Sequence, residues 1–246
     1  MLSDESPLRR IPHALEPKQA LFVDGIRHAI EIMDLAYGRL RHTLTELALD
    51  PPTSATLPKV APYAFLDAWA MVDAIDRFRM LYLQMPGMKF GPPTPGVTSL
   101  RDATQPFRDL RNVADHLAQR ADFVVSRDGA ALGTLTWLTG FEVDPPHLRF
   151  CTLRPGTVRT HPELSKAAIE ATIDWPTDRI CLSAGGYEGN LSAIRPHINR
   201  RVQHFESEIK SVFESPELKG SPIASDVFIR QPYTLAPGQF TWQTDA

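Results

Sequence analysis

The side chains best equipped for chemistry stand close together between Phe107 and Leu117, in the run FRDLRNVADHL. Arg111 offers a planar fork of donors that suits an oxyanion. His116 carries an imidazole that can accept or donate a proton near neutral pH. Asn112 lies between them and can orient a ligand or the histidine. An arginine that stabilises developing negative charge and a histidine that moves a proton make a metal-free catalytic pair. Their spacing sets a condition. On a regular helix Arg111 and His116 are about 140° apart, with Asp109, Asn112 and His116 on one flank of the apolar seam and Arg111 on the other. To act on one group they need a distortion near Pro106, an arginine that wraps the helix, or a cleft that collects them from two subunits. A plainer arrangement is also open to the same residues. Asn112 and His116 can hydrogen-bond each other, and Arg111 and Asp115 can form an i,i+4 ion pair.

Other clusters are weaker. Arg195, Arg200, Arg201 and His204, with His197 and Glu208, form the densest basic group in the chain. They suit a phosphate backbone, or else a solvated helix face with ordinary charge pairs. Asp24, His28 and Glu31 share a helix face, as do His42 and Glu46, a pattern that solvated faces show without a metal. No phosphate-binding loop, dinucleotide fingerprint, H-E-x-x-H motif or G-x-S-x-G elbow occurs. Neither a metal site nor a cofactor is therefore expected. Gly185, Gly186 and Gly189 have no following lysine and read as a hairpin turn. Cys151 and Cys181 are too few for a disulfide framework and read as small buried hydrophobes.

Apolar residues at Phe22, Ile26, Ile30, Met33, Tyr37, Leu40, Leu44 and Leu47 recur every three or four positions. They predict a first helix from about Pro17 to Leu49, stopped by Pro51-Pro52. A second runs from about Pro62 to Met85, ahead of Pro86-Gly87. The third, which holds the candidate site, spans about Ser99 to Ala121 with a seam of Leu100, Ala103, Phe107, Leu110, Ala114, Leu117 and Ala121. Ser99 and Asp102 resemble a cap, and Pro106 should kink or divide the helix. The period then shortens. Phe123 to Ser126 and Leu132 to Leu138 predict a hairpin turning at Asp128-Gly129, followed by strands at His147 to Leu153 and Arg179 to Ser183. Ala167 to Ile173 fits either helix or strand. A fourth helix covers Ser192 to Phe213, and the proline-bearing stretch after Ser215 predicts an irregular tail lying on the body. The expected fold is mainly α, α+β overall, in one domain: a helical bundle at 17–121 and 192–214, a small antiparallel β insert at 122–191 before the last helix, and a tail at 215–246.

Arg111-Asn112-x-x-x-His116 resembles the signature of the HEPN superfamily, an arginine and a polar residue followed by a histidine. Asn112, one of three asparagines in the chain, and the patterned helix around it carry the resemblance. A second Arg-to-His spacing, Arg154 with His161, spans Pro155-Gly156 and is no helix. The resemblance covers the bundle and not the strand-rich insert. It implies a four-helix HEPN-like bundle. Many members are metal-independent ribonucleases of toxin, antiphage and RNA-processing systems, usually dimeric; others have lost catalysis and serve as interaction modules. On the first alternative Arg111, Asn112 and His116 are catalytic, with Asp109 and Asp115 supporting them. The 2'-hydroxyl of RNA is then the nucleophile, and a 2',3'-cyclic phosphate the product. Arg195, Arg200, Arg201 and His204 would contact phosphates. On the second the partner is another protein, such as an antitoxin, or a second copy.

Composition bounds these alternatives. A net charge of -3 and a sequence pI near 6.2 exclude a global positive field, so any RNA site is a local patch. The 20 arginines against 6 lysines favour planar, bidentate contacts. No apolar run is long enough for a membrane span, and the first residues lack the apolar core of a secretory signal. A cytoplasmic homodimer without membrane association is expected.

Overall fold

Glu16 opens the longest helix. Its carboxylate accepts hydrogen bonds from the backbone N–H groups of Lys18 (3.0 Å) and Gln19 (2.8 Å). Pro17 takes the first turn, where its missing N–H is no loss. Helix α1 (Pro17–Leu49) has the bounds that the sequence predicts. The computed structural model describes residues 2–88, 98–126, 129–143, 146–156 and 173–232. Helix α2 (Leu57–Leu83) starts earlier than expected, with Pro62 inside it. Pro58 serves the first turn there, and a proline four residues later removes one helical bond without ending the helix.

Helix α3 (Leu100–Asp115) corrects the expected span in two ways. Pro106 does not divide it. The helix also stops at Asp115 instead of Ala121, because the expected seam counted alanines as inward-facing. Ala114 and Ala121 are exposed, and Val113 takes the buried position. The expected strand at Phe123–Ser126 is instead a short helix, α4 (Ala121–Ser126), and the expected hairpin through Gly129 does not exist. Its two valines suggested a strand, but Val124 is buried and its N–H bonds to the Arg120 carbonyl at 2.9 Å. Tertiary burial overrides β propensity here. Asp128 and all of Ala167–Ile173 except Ile173 lie outside the described residues.

The sheet has four antiparallel strands, β1 (Thr134–Val143), β2 (Pro146–Leu153), β3 (Thr177–Ala184) and β4 (Tyr187–Asn190), in the order β2-β1-β3-β4. The glycine turn at Gly185-Gly186 joins β3 to β4, a short strand not expected from the sequence. Helix α5 (Leu191–Phe213) follows at once, capped by Asn190 Oδ1, which accepts from the Ala193 N–H at 2.8 Å. Leu135, Trp137, Ile180 and Leu182 of the sheet share one apolar core with the four long helices. The fold is thus α+β. Cys151 on β2 and Cys181 on β3 are free thiols on opposite sides of β1, and burial pushes Cys181 up to about 12.

Residues beyond α5 are irregular as far as 232 and lie along the start of the chain. Pro12 bridges to Ile223, and the His13 N–H donates to the Pro222 carbonyl at 2.7 Å. Among the described residues no helix is long and apolar enough to cross a membrane.

Candidate active site on helix α3

Three features hold α3 in place. Ser99 Oγ accepts from the Asp102 N–H at 3.1 Å and donates to the Asp102 carboxylate at 2.6 Å. Phe107 and Leu110 pack onto β4 at Gly189, where a Cβ would stand 2.7 Å from Phe107 Cε1. Val113 packs on Gly185, whose φ of +55° belongs to the left-handed region that glycine tolerates. The hairpin glycines therefore let the sheet approach the helix closely, in addition to turning the chain.

Arg111 points into the α2–α3 contact. Its Nη1 donates to Asp76 Oδ2 at 3.0 Å, its Nη2 lies 3.2 Å from Asp73 Oδ1, and its Nε lies 3.6 Å from Asp115 Oδ2. Asp76 is 0% exposed, and the same Oδ2 also accepts from Arg108 Nη1 at 3.0 Å. Arg79 Nη1 is 4.0 Å from its other oxygen. A carboxylate taken out of water requires such partners. The i,i+4 pair with Asp115 was legible in the sequence. Asp73 and Asp76 were not, being 38 and 35 residues away on another helix. One signal was present: Asp76 sits beside Ile75 within the inward-facing stripe of α2, where an acid needs a cationic partner.

His116 caps α3 and is exposed; its Nδ1 shares a hydrogen bond with Gln119 Oε1 at 2.8 Å. Its carbonyl accepts from the N–H groups of Gln119 and Arg120 in the turn that follows. Asn112 is half-buried. Asp109 accepts from Gln105 Nε2 at 2.9 Å. Within one chain Arg111 and His116 have separate partners: the arginine serves α2 and the histidine the turn after α3. A phosphate at Arg111 would have to displace three carboxylates.

The basic residues of α5 also disperse. Arg195 turns to α1, donating to Asp34 Oδ1 at 2.7 Å and stacking 4.0 Å over the Tyr37 ring. Arg201 reaches the Thr98 carbonyl at 3.5 Å, while Arg200 and His204 are exposed. His197 is held below the ordinary histidine range by burial and by Arg201 and Arg200. On α1, Asp24 and His28 come within 4.8 Å of Asp226 in a geometry that could hold a metal ion. Arg27 fills that role instead. Its Nη2 donates to Asp226 Oδ1 at 2.6 Å and to Asp24 Oδ1 at 2.8 Å, and lies 3.2 Å from His28 Nε2. Glu31, expected on the same face, pairs with Arg9 at 3.0 Å.

No family model matches this chain, and neither a curated protein nor a solved structure does.

Proposed function

We propose that the protein is a HEPN-like helical bundle that acts as a non-catalytic assembly module, binding a second copy of itself or a protein partner such as an antitoxin. The observation that carries this reading is the engagement of Arg111 by Asp73, Asp76 and Asp115. An arginine spent on a buried carboxylate serves the fold and is lost to phosphate chemistry. Two exposed apolar neighbours on α1 support the same conclusion. Ile32 and Leu35, three residues apart on one face, are 42% and 61% exposed. Such a pair is what a docking helix offers.

The nuclease alternative has one observation in its favour. Asp76 keeps Arg108 if Arg111 leaves, so a dimer cleft could take Arg111 from one subunit and the exposed His116 from its partner. In that arrangement RNA is cleaved without metal, with Asn112 orienting the scissile group. Two measurements separate the readings. Light scattering at micromolar concentration should give a mass above the 27.5 kDa monomer that falls to monomer in Leu35→Glu. Incubation with single-stranded and structured RNA in excess EDTA should give no cleavage. Cleavage that His116→Ala abolishes would replace the assembly reading with the nuclease one.

A further inference from the structure

Two glycines interrupt α1, and only one is explained by packing. At Gly25 a Cβ would stand 2.7 Å from Leu81 Cδ1, so glycine lets α2 come close. At Gly38 a Cβ would meet nothing within 4 Å. Glycine inside a helix weakens it relative to alanine, and nothing packed at Gly38 offsets that loss. The open space belongs to a groove of about 500 Å³ between α1, α5 and the start of β3. Tyr37, Arg41, His42, Thr45 and Arg195 surround it. Three of these five, Arg41, His42 and Thr45, follow from the spacing of α1, which puts them along one side with Gly38 over two turns.

The two guanidinium groups are held in place, and neither is fully used. Arg195 is fixed by Asp34 and by the Tyr37 ring, whose hydroxyl shares a hydrogen bond with Ser192 Oγ at 3.2 Å. Arg41 donates through Nε to the Thr177 carbonyl at 2.8 Å, and through Nη2 to the Asp174 carbonyl at 3.1 Å and the Trp175 carbonyl. Among the described residues neither arginine has a hydrogen bond from Nη1. Thr45 stands behind them, its hydroxyl bonded to that of buried Thr177 at 2.6 Å, and Thr177 in turn to buried Thr139 at 2.8 Å. The acids nearby do not close the groove: Asp34 is taken by Arg195, Asp174 is an exposed residue 3.6 Å from Arg41, and the exposed Glu46 lies 3.3 Å from His42.

We infer that this groove binds the phosphate group of a small soluble ligand. Two preset arginine forks match an anion with several oxygens in different directions better than a single carboxylate. The bare backbone at Gly38 gives the phosphate a place against the helix. The groove is larger than a phosphate and leaves room for the group attached to it. This site is separate from α3 and owes nothing to the assembly reading.

Titration calorimetry with inorganic phosphate and phenyl phosphate, at ionic strength matched with chloride, tests it. Wild type should bind phenyl phosphate with a heat that chloride does not give. Gly38→Leu fills the groove while leaving every charged group in place. It should weaken binding at least tenfold, with the Tm of the unliganded protein unchanged or raised. Arg195→Gln should weaken binding by a similar factor. Heats equal to the chloride control, or a Gly38→Leu protein that binds as wild type does, would overturn the inference. So would a Gly38→Leu protein with a lowered Tm, since Gly38 would then be required by packing.

Discussion

A carboxylate with no contact to water must be matched by its neighbours, and Asp76 concentrates that requirement on Arg108 and Arg111. Replacing Asp76 by alanine removes the acid that two arginines converge on. Loss of one partner of a buried pair costs about 3–5 kcal/mol; Arg111 is 30% exposed and can partly rehydrate, so about 2–3 kcal/mol is expected. Arg111→Ala leaves Arg108 on Asp76 and should cost about 1–2 kcal/mol. His116→Ala, at an exposed cap, should stay within about 0.5 kcal/mol of wild type. Urea midpoints of the three proteins check the order. An Arg111→Ala protein as stable as wild type would free that arginine for a ligand and undercut the assembly reading. The candidate residues were readable from their types and spacing. Their engagement was not, because it depends on where α2 crosses α3, and local spacing does not encode a crossing.

At the scale of elements, legibility followed length. Helix α1 could be read to its ends because nine turns of apolar periodicity average out local noise, and proline marks both limits. The third helix was overextended by six residues because alanine fits an inward or an outward position equally well. Helix α4 and strand β4, of six and four residues, are too short to carry a period of their own. Gly185 and Gly186 were read correctly as a turn, whereas Gly189 lies in β4; the second task of these glycines became visible only with α3 in place. That task can be measured. Gly185→Ala puts a side chain into the left-handed region and its Cβ 2.9 Å from Val113 Cγ1. Strain and contact together should cost about 1–2 kcal/mol. Because the turn anchors α3, amide exchange should quicken in α3 and β4 more than in α1. A uniform change across the chain would separate the hairpin from the support of α3.

Across the whole molecule, the stretch after α5 ties the end of the bundle to its beginning through few contacts. The Ala224 N–H donates to the Ile11 carbonyl at 2.8 Å, the His13 N–H to Pro222, and Arg27 joins Asp226 to Asp24. The sequence pointed to a tail lying on the body, since its prolines forbid a regular element, but not to the position of the clasp. Beyond the clasp Val227, Phe228 and Ile229 are exposed, so Asp226 is the last residue before a run with no described hold. The Arg27 guanidinium keeps the Asp226 carboxyl below the ordinary aspartate range. A depressed acid contributes while it is ionised: the clasp is complete above the unfolded value of about 3.9 and is lost as pH falls through the lowered one. Hydrogen exchange at neutral pH should therefore show the amides of His13 and Ala224 protected in wild type and exposed in Asp226→Asn, with α2 and α3 unaffected. Lowering the pH of wild type to 5 should leave that protection intact, once the slower intrinsic exchange is corrected for. Protection lost already at pH 5 would remove Asp226 from the centre of the clasp.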